Sequence, residues 1–280
     1  MRNLLLNIRY TTALVAGVMA LIGLFLLGFA GYVPFLSIEG LVIVVGGSIA
    51  NAFLSFQRED VLKAFSTIRD MLKKPLALRD GLHKDILQII GWAQTVQSHD
   101  LIGLEKESAK EIQDPLLRYG MDLVITGYSA AHIRDMIHTV SEAEFDRSCR
   151  PVTVLRNMAA TAPAFGMVGT LIGMVTILNN VGTDLSNIGG GLAIAMLSTL
   201  YGILVARLIC LPAADKLLQR EESNYFRNHM VAEGLSLLAE KQKPFYVQDR
   251  LNSFLSPSKQ LNLSNYAQIA KLREFAMEAA

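Results

Sequence analysis

Apolar residues along this chain gather in two long blocks, roughly Tyr10 to Phe56 and Met158 to Leu211. Each is long enough for two helical crossings of a bilayer at about 20 residues apiece. The first block breaks at "GYVPFLSIEG", where Pro34 and Glu39 punctuate the apolar run. The second breaks at "NNVGTDLSNIGG", a cluster of turn formers around Asp184. The pattern predicts four membrane helices in two hairpins. Neither break holds Lys or Arg, whereas Arg2, Arg9, Arg58, Lys63, Arg147, Arg150, Arg156, Lys216 and Arg220 flank the opposite helix ends. Basic residues near helix ends stay on the cytoplasmic side, so both termini and the long middle segment are expected inside and the two tips outside.

Between the blocks the period is helical. In "DVLKAFSTIRDMLKKP", Val61, Leu62, Phe65, Ile68 and Leu72 form one apolar stripe that Pro75 ends. Short amphipathic helices follow, with interruptions expected at Asp100, Pro115 and Gly127. Ser129 is placed as the N-cap of a further helix that runs toward the membrane, and Pro151 is a candidate kink in it. After the fourth span, "ADKLLQREESNYFRNHMVAEGLSLLAEKQKP" reads as another helix, and the polar stretch beyond Pro244 as a partly disordered terminus. The expected fold is an all-α membrane protein. Residues 1–56 hold helices one and two, 57–156 a helical cytoplasmic domain, 157–212 helices three and four, and 213–280 a cytoplasmic helix and tail.

Composition supports a membrane protein with a sizeable aqueous part: half of the 280 residues are hydrophobic and the mean hydropathy is +0.34. A formal net charge of +1, with basic residues interleaved among acidic ones, argues against nucleic acid. The two cysteines, Cys149 and Cys210, are expected to be reduced structural thiols, and no cleaved signal peptide is expected. The sequence lacks GxxxxGK[ST], HExxH, CxxC and GxSxG, so neither an enzyme nor a bound cofactor is expected. His132 with Asp135, His138 with Glu142, and the run Glu142, Glu144 and Asp146 read as solvated pairs and a solvated face, with no resident metal. Within the four spans there is no Asp or Glu at mid-depth; Glu39 and Asp184 fall at outer boundaries. Ion pathways normally provide a carboxylate partway across, so an ion-conducting role requires one from another chain.

Helix three presents Ala162, Gly166, Gly169, Thr170 and Gly173 at steps of three and four, a small-residue face that lets a neighbouring helix approach closely. Folding the chain back at Asp184 brings Thr170 level with Thr199, each about 13 Å below the outer surface at 1.5 Å per residue. Ser198 adjoins Thr199, so two helices offer hydroxyls at one depth. A single threonine can satisfy itself on its own helix backbone, while a matched set beside a small-residue face favours a polar path. Pro163 and Pro212 remove backbone donors near the inner ends of helices three and four, at what the sequence suggests is a matching depth. They either flex the helices or mark helix ends.

These residues resemble the A subunit of the bacterial flagellar stator, the MotA/PomA family. The likeness is carried by "LVIVVGGSIANAF", "ATAPAFGMVGTLIGMVTIL", "GGGLAIAMLSTLYGILVA" with "LPAADKL", and the loop of about a hundred residues between helices two and three. The resemblance implies a ring of five such subunits in the inner membrane around two copies of a single-span B subunit of the MotB/PomB kind. That partner carries the membrane aspartate, and the cytoplasmic loop pushes the flagellar rotor switch protein (FliG). Pro163 and Pro212 match the family's coupling prolines, and Thr170 and Thr199, with Ser198 beside them, match its ion-path hydroxyls. A threonine at the second position tilts the transported ion toward sodium over protons. In "LIGLEKE", Glu105 matches the rotor-facing acidic residue. The family's basic residue eight positions earlier is here Gln97, which leaves Lys106, Lys110, Arg118 and Arg134 as candidate basic contacts. Two alternatives remain beside the stator: a TolQ/ExbB-like unit driving another envelope process, and a non-conducting membrane scaffold.

Overall fold

The computed structural model describes residues 37–73, 81–108, 112, 114–180, 185–257 and 260. The predicted first span and the turn at Asp184 lie outside them. Among the described residues three helices are long and apolar enough to cross a membrane, and no strand occurs.

The chain divides into two units, one formed by Met1–Pro75 with Cys149–Leu218, the other by Leu76–Ser148 with Gln219–Ala280. In the first unit, α1 (Ile38–Ser55) opens on Ser37, whose Oγ accepts from the Gly40 N–H at 3.1 Å. A widened π-helical turn, Val42–Gly46, follows within it. α2 (Arg58–Lys73) begins with Glu59 and Asp60, whose charges suit the positive end of the helix dipole. Val61 and Ala64 are buried, but Leu62 is 61% exposed, so the buried face of α2 is narrower than the predicted stripe. Val44, Ala52, Leu155, Met158, Ala162, Ala206, Ala213 and Ala214 belong to the same core, whose many alanines permit close helix packing.

The second unit is built on larger side chains. α3 (Gly81–Ser108) runs through Asp100 without the expected interruption. α4 (Pro115–Thr126) is capped by Asp114 and ends on Gly127, whose φ of 86° is the left-handed conformation glycine adopts freely. Ile86, Ile89, Ile90, Met121, Ile133 and Ile137 meet Met230, Leu235, Leu238, Val247 and Leu251 in one core. The last two residues sit on α8 (Pro244–Asn252), so the stretch after Pro244 begins with a docked helix; residues 261–280 lie outside the described ones. Pro244, Val247, Gln248 and Leu251 are buried, with the aliphatic Val247 and Leu251 four positions apart on the docked face.

Two long helices connect these pieces. α5 (Ala130–Asn180) contains both Pro151 and Pro163 and stays helical through each, so Pro151 does not interrupt it; Ser129 caps its start as predicted, its Oγ 3.4 Å from the His132 N–H. α6 (Leu185–Leu204) passes through a second π-turn, Val205–Cys210, directly into α7 (Leu211–Ala239). In that turn the Leu211 N–H reaches back five residues to Ala206 O. The extra room accommodates the Pro212 ring, which would otherwise strike the preceding turn, so the helix continues where a proline suggested an end.

Arg227 on α7 fastens the second unit. Its Nε lies 2.5 Å from Asp85 Oδ2 on α3 and its Nη2 2.7 Å from Asp114 Oδ2. Asp114 uses its other oxygen to accept from the Leu116 and Leu117 N–H groups at 2.9 and 3.1 Å, so one carboxylate caps α4 and binds the arginine. Burial works against the Arg227 charge, but the hydrogen bond and field of Asp85, then those of Asp114, raise its pKa above the ordinary value. Replacing Arg227 with Met leaves Asp85 buried without its partner. We predict a loss of about 3 kcal/mol in the stability of this unit, measured by denaturant unfolding of the purified protein.

His138 packs on His229, not on Glu142, with ring centroids 4.1 Å apart, and Tyr225 covers the other side of His229 at 4.6 Å. Glu142, Glu144 and Asp146 are exposed, the solvated face that was expected. Burial lowers the His229 pKa from its ordinary 6.5, and the nearby His138 lowers it further. Below that pH the unfolded chain takes up a proton that the folded His229 resists. The stabilisation is therefore complete above pH 6.5 and is lost as the pH falls through the window below it. The second unit is predicted to melt earlier as the pH is lowered from about 7.5 to about 5.5. His229→Phe, which keeps an aromatic ring against Tyr225, is predicted to flatten that dependence; thermal melts across the range check it.

Candidate functional site

The seam between α5 and α6 is the tightest helix contact in the first unit. A Cβ on Gly173 would lie 2.5 Å from Gly191 O and 2.8 Å from Ala195 N, and one on Gly166 would lie 3.0 Å from Ser198 O. A Cβ on Gly169 would collide with the Ser198 side chain, and one on Gly202 would come within 2.7 Å of Ala162 O and 3.1 Å of Pro163 Cα. These are mostly backbone atoms, which cannot swing aside. Every glycine the sequence reading placed on the small face of helix three is thus spent on contact with helix four of the same chain.

α1 joins the seam from a third side. A Cβ on Gly40 would meet Ser198 N at 3.4 Å, and one on Gly47 would meet the Phe165 ring. The Asn51 amide donates to Asn157 Oδ1 at 2.9 Å, tying α1 to α5. The Ser37 N–H donates to the Tyr201 hydroxyl on α6 at 3.0 Å, and Ser37 Oγ donates to Glu39 Oε2 at 3.1 Å. Glu39 therefore belongs beside Ser198, several turns into α6, and not at the outer boundary where the sequence pattern placed it. A proline followed by polar residues resembles a turn from sequence alone; Ser37 is instead a helix cap that tertiary contact draws inward.

The three hydroxyl residues part ways here. Ser198 is wholly buried, and its single hydroxyl hydrogen is shared between Gly166 O on α5 at 3.2 Å and Ala195 O on its own helix at 3.0 Å. Thr170 is half-buried, its Oγ1 donating to Met167 O at 2.6 Å, and Thr199 is half-buried. The Gly166 contact with Thr199 Cα, 3.1 Å from an added Cβ, puts Thr170 within about a turn of Thr199. Pro163, opposite Gly202, and Pro212 are not brought together. Pro212 lies ten residues past Gly202, about 15 Å along the helix.

Around the seam the spans expose apolar side chains, among them Met167, Leu171, Val175 and Leu178 on α5 and Leu192 and Met196 on α6. Faces of that composition are stable against lipid or another apolar helix, not against water. Among the described residues no group of three metal-ligating side chains is assembled.

The candidate contacts in the second unit are dispersed. Glu105 and Lys106 lie on α3, with side chains outside the described residues, and Arg118 is exposed on α4. Arg134 is engaged internally: its Nη2 donates to Ser236 Oγ at 2.9 Å and its Nε lies 3.1 Å from Glu233 Oε2. That second contact is close enough for an ion pair but too poorly aligned to be a hydrogen bond. Glu233 also accepts from Arg250 Nε at 2.7 Å. Arg227, Asp85 and Glu233, which hold this unit together, were not anticipated; no local pattern marks ion pairs such as Arg227 with Asp85, 142 residues apart.

The geometry defines a multi-spanning helical protein in which the stretches of α5 and α6 that meet at the seam, from Ala162 to Gly173 and from Gly191 to Gly202, carry hydroxyls and no carboxylate, while Glu39 on the adjoining α1 is engaged by Ser37. Residues 108–230 match the model of the MotA/TolQ/ExbB proton channel family. The chain is 32% identical to the uncharacterized protein YtxD of Bacillus subtilis, with 82% of each chain covered, and 27% identical to the chemotaxis protein PomA of Vibrio alginolyticus, covering 80% of this chain and 86% of that one. Motility protein A of Aquifex aeolicus is 29% identical over 76% of this chain and 83% of its own. The fold is that of the flagellar MotAB stator complex from B. subtilis, with a TM-score of 0.75 at 22% identity over 90% of this chain and 98% of that one. The chain belongs to the MotA/TolQ/ExbB family.

Because the atoms facing Gly173 are backbone, a side chain there has to part the helices. Gly173→Val is predicted to cost about 1–3 kcal/mol, detectable as a lowered melting temperature in detergent, while a substitution at the exposed Leu178 is predicted to have little effect.

Proposed function

We propose that this chain is the A subunit of a stator-type ion channel that turns inward cation flow into torque on a flagellar rotor. The observation that carries it is the likeness along most of the chain to motility A proteins and PomA, combined with a hydroxyl-bearing seam to which α5 and α6 bring no carboxylate, the nearby Glu39 of α1 being engaged by Ser37. In this reading a single-span B subunit supplies the membrane carboxylate that the seam stretches of α5 and α6 lack. Five copies of the chain surround two copies of that partner in the inner membrane. The chain crosses the membrane four times in this reading, and both termini are cytoplasmic.

The driving cation, sodium in preference to protons, passes Thr170 and Thr199. A hydroxyl oxygen replaces part of the water that a cation sheds, which a methyl group cannot do. Thr170 already donates its hydrogen to Met167 O, so its lone pairs are free to face an ion. α5 is one unbroken helix from Ala130 to Asn180, and α7 continues from α6, so the backbone itself links the ion path to 130–148 and to 219–239. Pro163 lowers the resistance to bending along the first of these, and Pro212 with its π-turn along the second. Glu105, Lys106 and Arg118 meet the rotor switch protein. Arg134 shapes that surface through Glu233.

Co-expression with a single-span protein that has a membrane Asp is expected to yield a co-purifying ring, and a chain recovered only as a lone monomer overturns the assignment. Thr199→Ala in that complex is expected to raise the sodium concentration needed for half-maximal swimming by about tenfold, the effect of losing one ligand worth about 1.4 kcal/mol. Motility unchanged at low sodium removes the sodium assignment. A complex that energises the envelope without rotating a filament supports a TolQ/ExbB-like output instead.

A further inference from the structure

Ser198 stands apart from the two threonines beside it. It is wholly buried, while Thr170 and Thr199 are only half-buried, and its hydroxyl crosses the seam to the carbonyl of Gly166. In an α-helix that carbonyl is the acceptor for the N–H of the residue four positions on, here Thr170. On its own side, Ser198 immediately precedes Thr199. The hydroxyl hydrogen is shared with Ala195 O on its own helix at 3.0 Å, and its interhelical arm joins the turn that carries Thr170 to the residue next to Thr199.

The packing is cut to the same register. An added Cβ on Gly169 would collide with Ser198 Cβ and sit 2.5 Å from its Oγ, so the missing side chain of Gly169 is the socket that Ser198 occupies. Sliding α6 by a single residue would move Thr199 about 1.5 Å along the axis and swing it about 100° around it. Ligand geometry of this kind has to be held to about 0.5 Å.

We infer that Ser198 is a positioning residue: seated in the Gly169 socket and bonded to Gly166 O, it sets the register of Thr170 against Thr199, and ion discrimination by that pair depends on it. This rests on the ion path proposed above. Ser198 acts through the threonines and does not touch the ion.

The test uses the chain assembled with its single-span partner. The readouts are complex yield, the half-saturating concentration of the driving cation, and its preference over competing cations. Ser198→Ala keeps the seam closed but removes the bond. It is expected to assemble normally, raise half-saturation about threefold or more and weaken the cation preference, since misplacement by about 1 Å is costly at an oriented site. Gly169→Ala is expected to lower assembly, and adding Ser198→Gly, which empties the opposing position, to restore assembly while leaving cation preference impaired. Because Ser198 works through Thr199, the double variant Ser198→Ala/Thr199→Ala is expected to be no worse than Thr199→Ala alone. Two outcomes overturn the inference while leaving the ion path intact. In one, Thr199→Ala shifts the ion response and Ser198→Ala does not. In the other, the two losses multiply, which makes Ser198 an independent ligand. If neither variant, nor Thr170→Ala, changes the ion response, the ion path itself is wrong.

Discussion

Two helix backbones approach so closely between α5 and α6 that a methyl group on Gly173 would sit 2.5 Å from a carbonyl oxygen. In lipid, where apolar surface gains little by pairing with more apolar surface, this proximity is the main source of helix association. It also decides where polar groups can go. With no side chains between the rods, Ser198 can reach a main-chain carbonyl on the other helix, and Thr170 and Thr199 are held just outside the contact. The exposed apolar faces that remain are then available to lipid and to neighbouring subunits. The glycines close the helix pair, and closure creates the edge that carries hydroxyls.

The parts of this arrangement that depend on local spacing were legible in the sequence. Steps of three and four among Gly166, Gly169 and Gly173 can only be one helix face, Ser129 before an apolar-periodic run can only be a cap, and Pro115 fits the first turn of a helix. The partner of that glycine face was not legible, since spacing says which residues share a side but not what lies opposite. Ser198 shows the cost. At the level of sequence it is one of three hydroxyls at a common depth, and only its burial and its bond to Gly166 separate it from the other two.

Prolines misled in a consistent way. Pro151, Pro163 and Pro212 each remove a backbone donor, and a chain in isolation would bend or end there. α5 stays helical through its two, and the π-turn before Pro212 redistributes the hydrogen bonds over a wider loop. The ion pairs of Arg227 were invisible for a different reason. Asp85 is 142 positions away from it, and charge patterning informs only about neighbours within a turn or so.

The second unit is made from two stretches that flank the membrane hairpin, and this sets an order of events during synthesis. Ile86, Ile89 and Met121 emerge from the ribosome well before Leu235, Val247 and Leu251, which complete their core. In between, α5 and α6 have to enter the bilayer. Until the final forty or so residues are translated, 81–148 has apolar side chains with nothing to cover them, at a time when the hairpin is being inserted beside it. Closing a loop of that length is slow compared with local helix formation. The nascent chain is thus most exposed to aggregation and proteolysis in the interval between membrane insertion and the arrival of α8. A ribosome that stops before α8 leaves a membrane hairpin whose aqueous half has no finished interior.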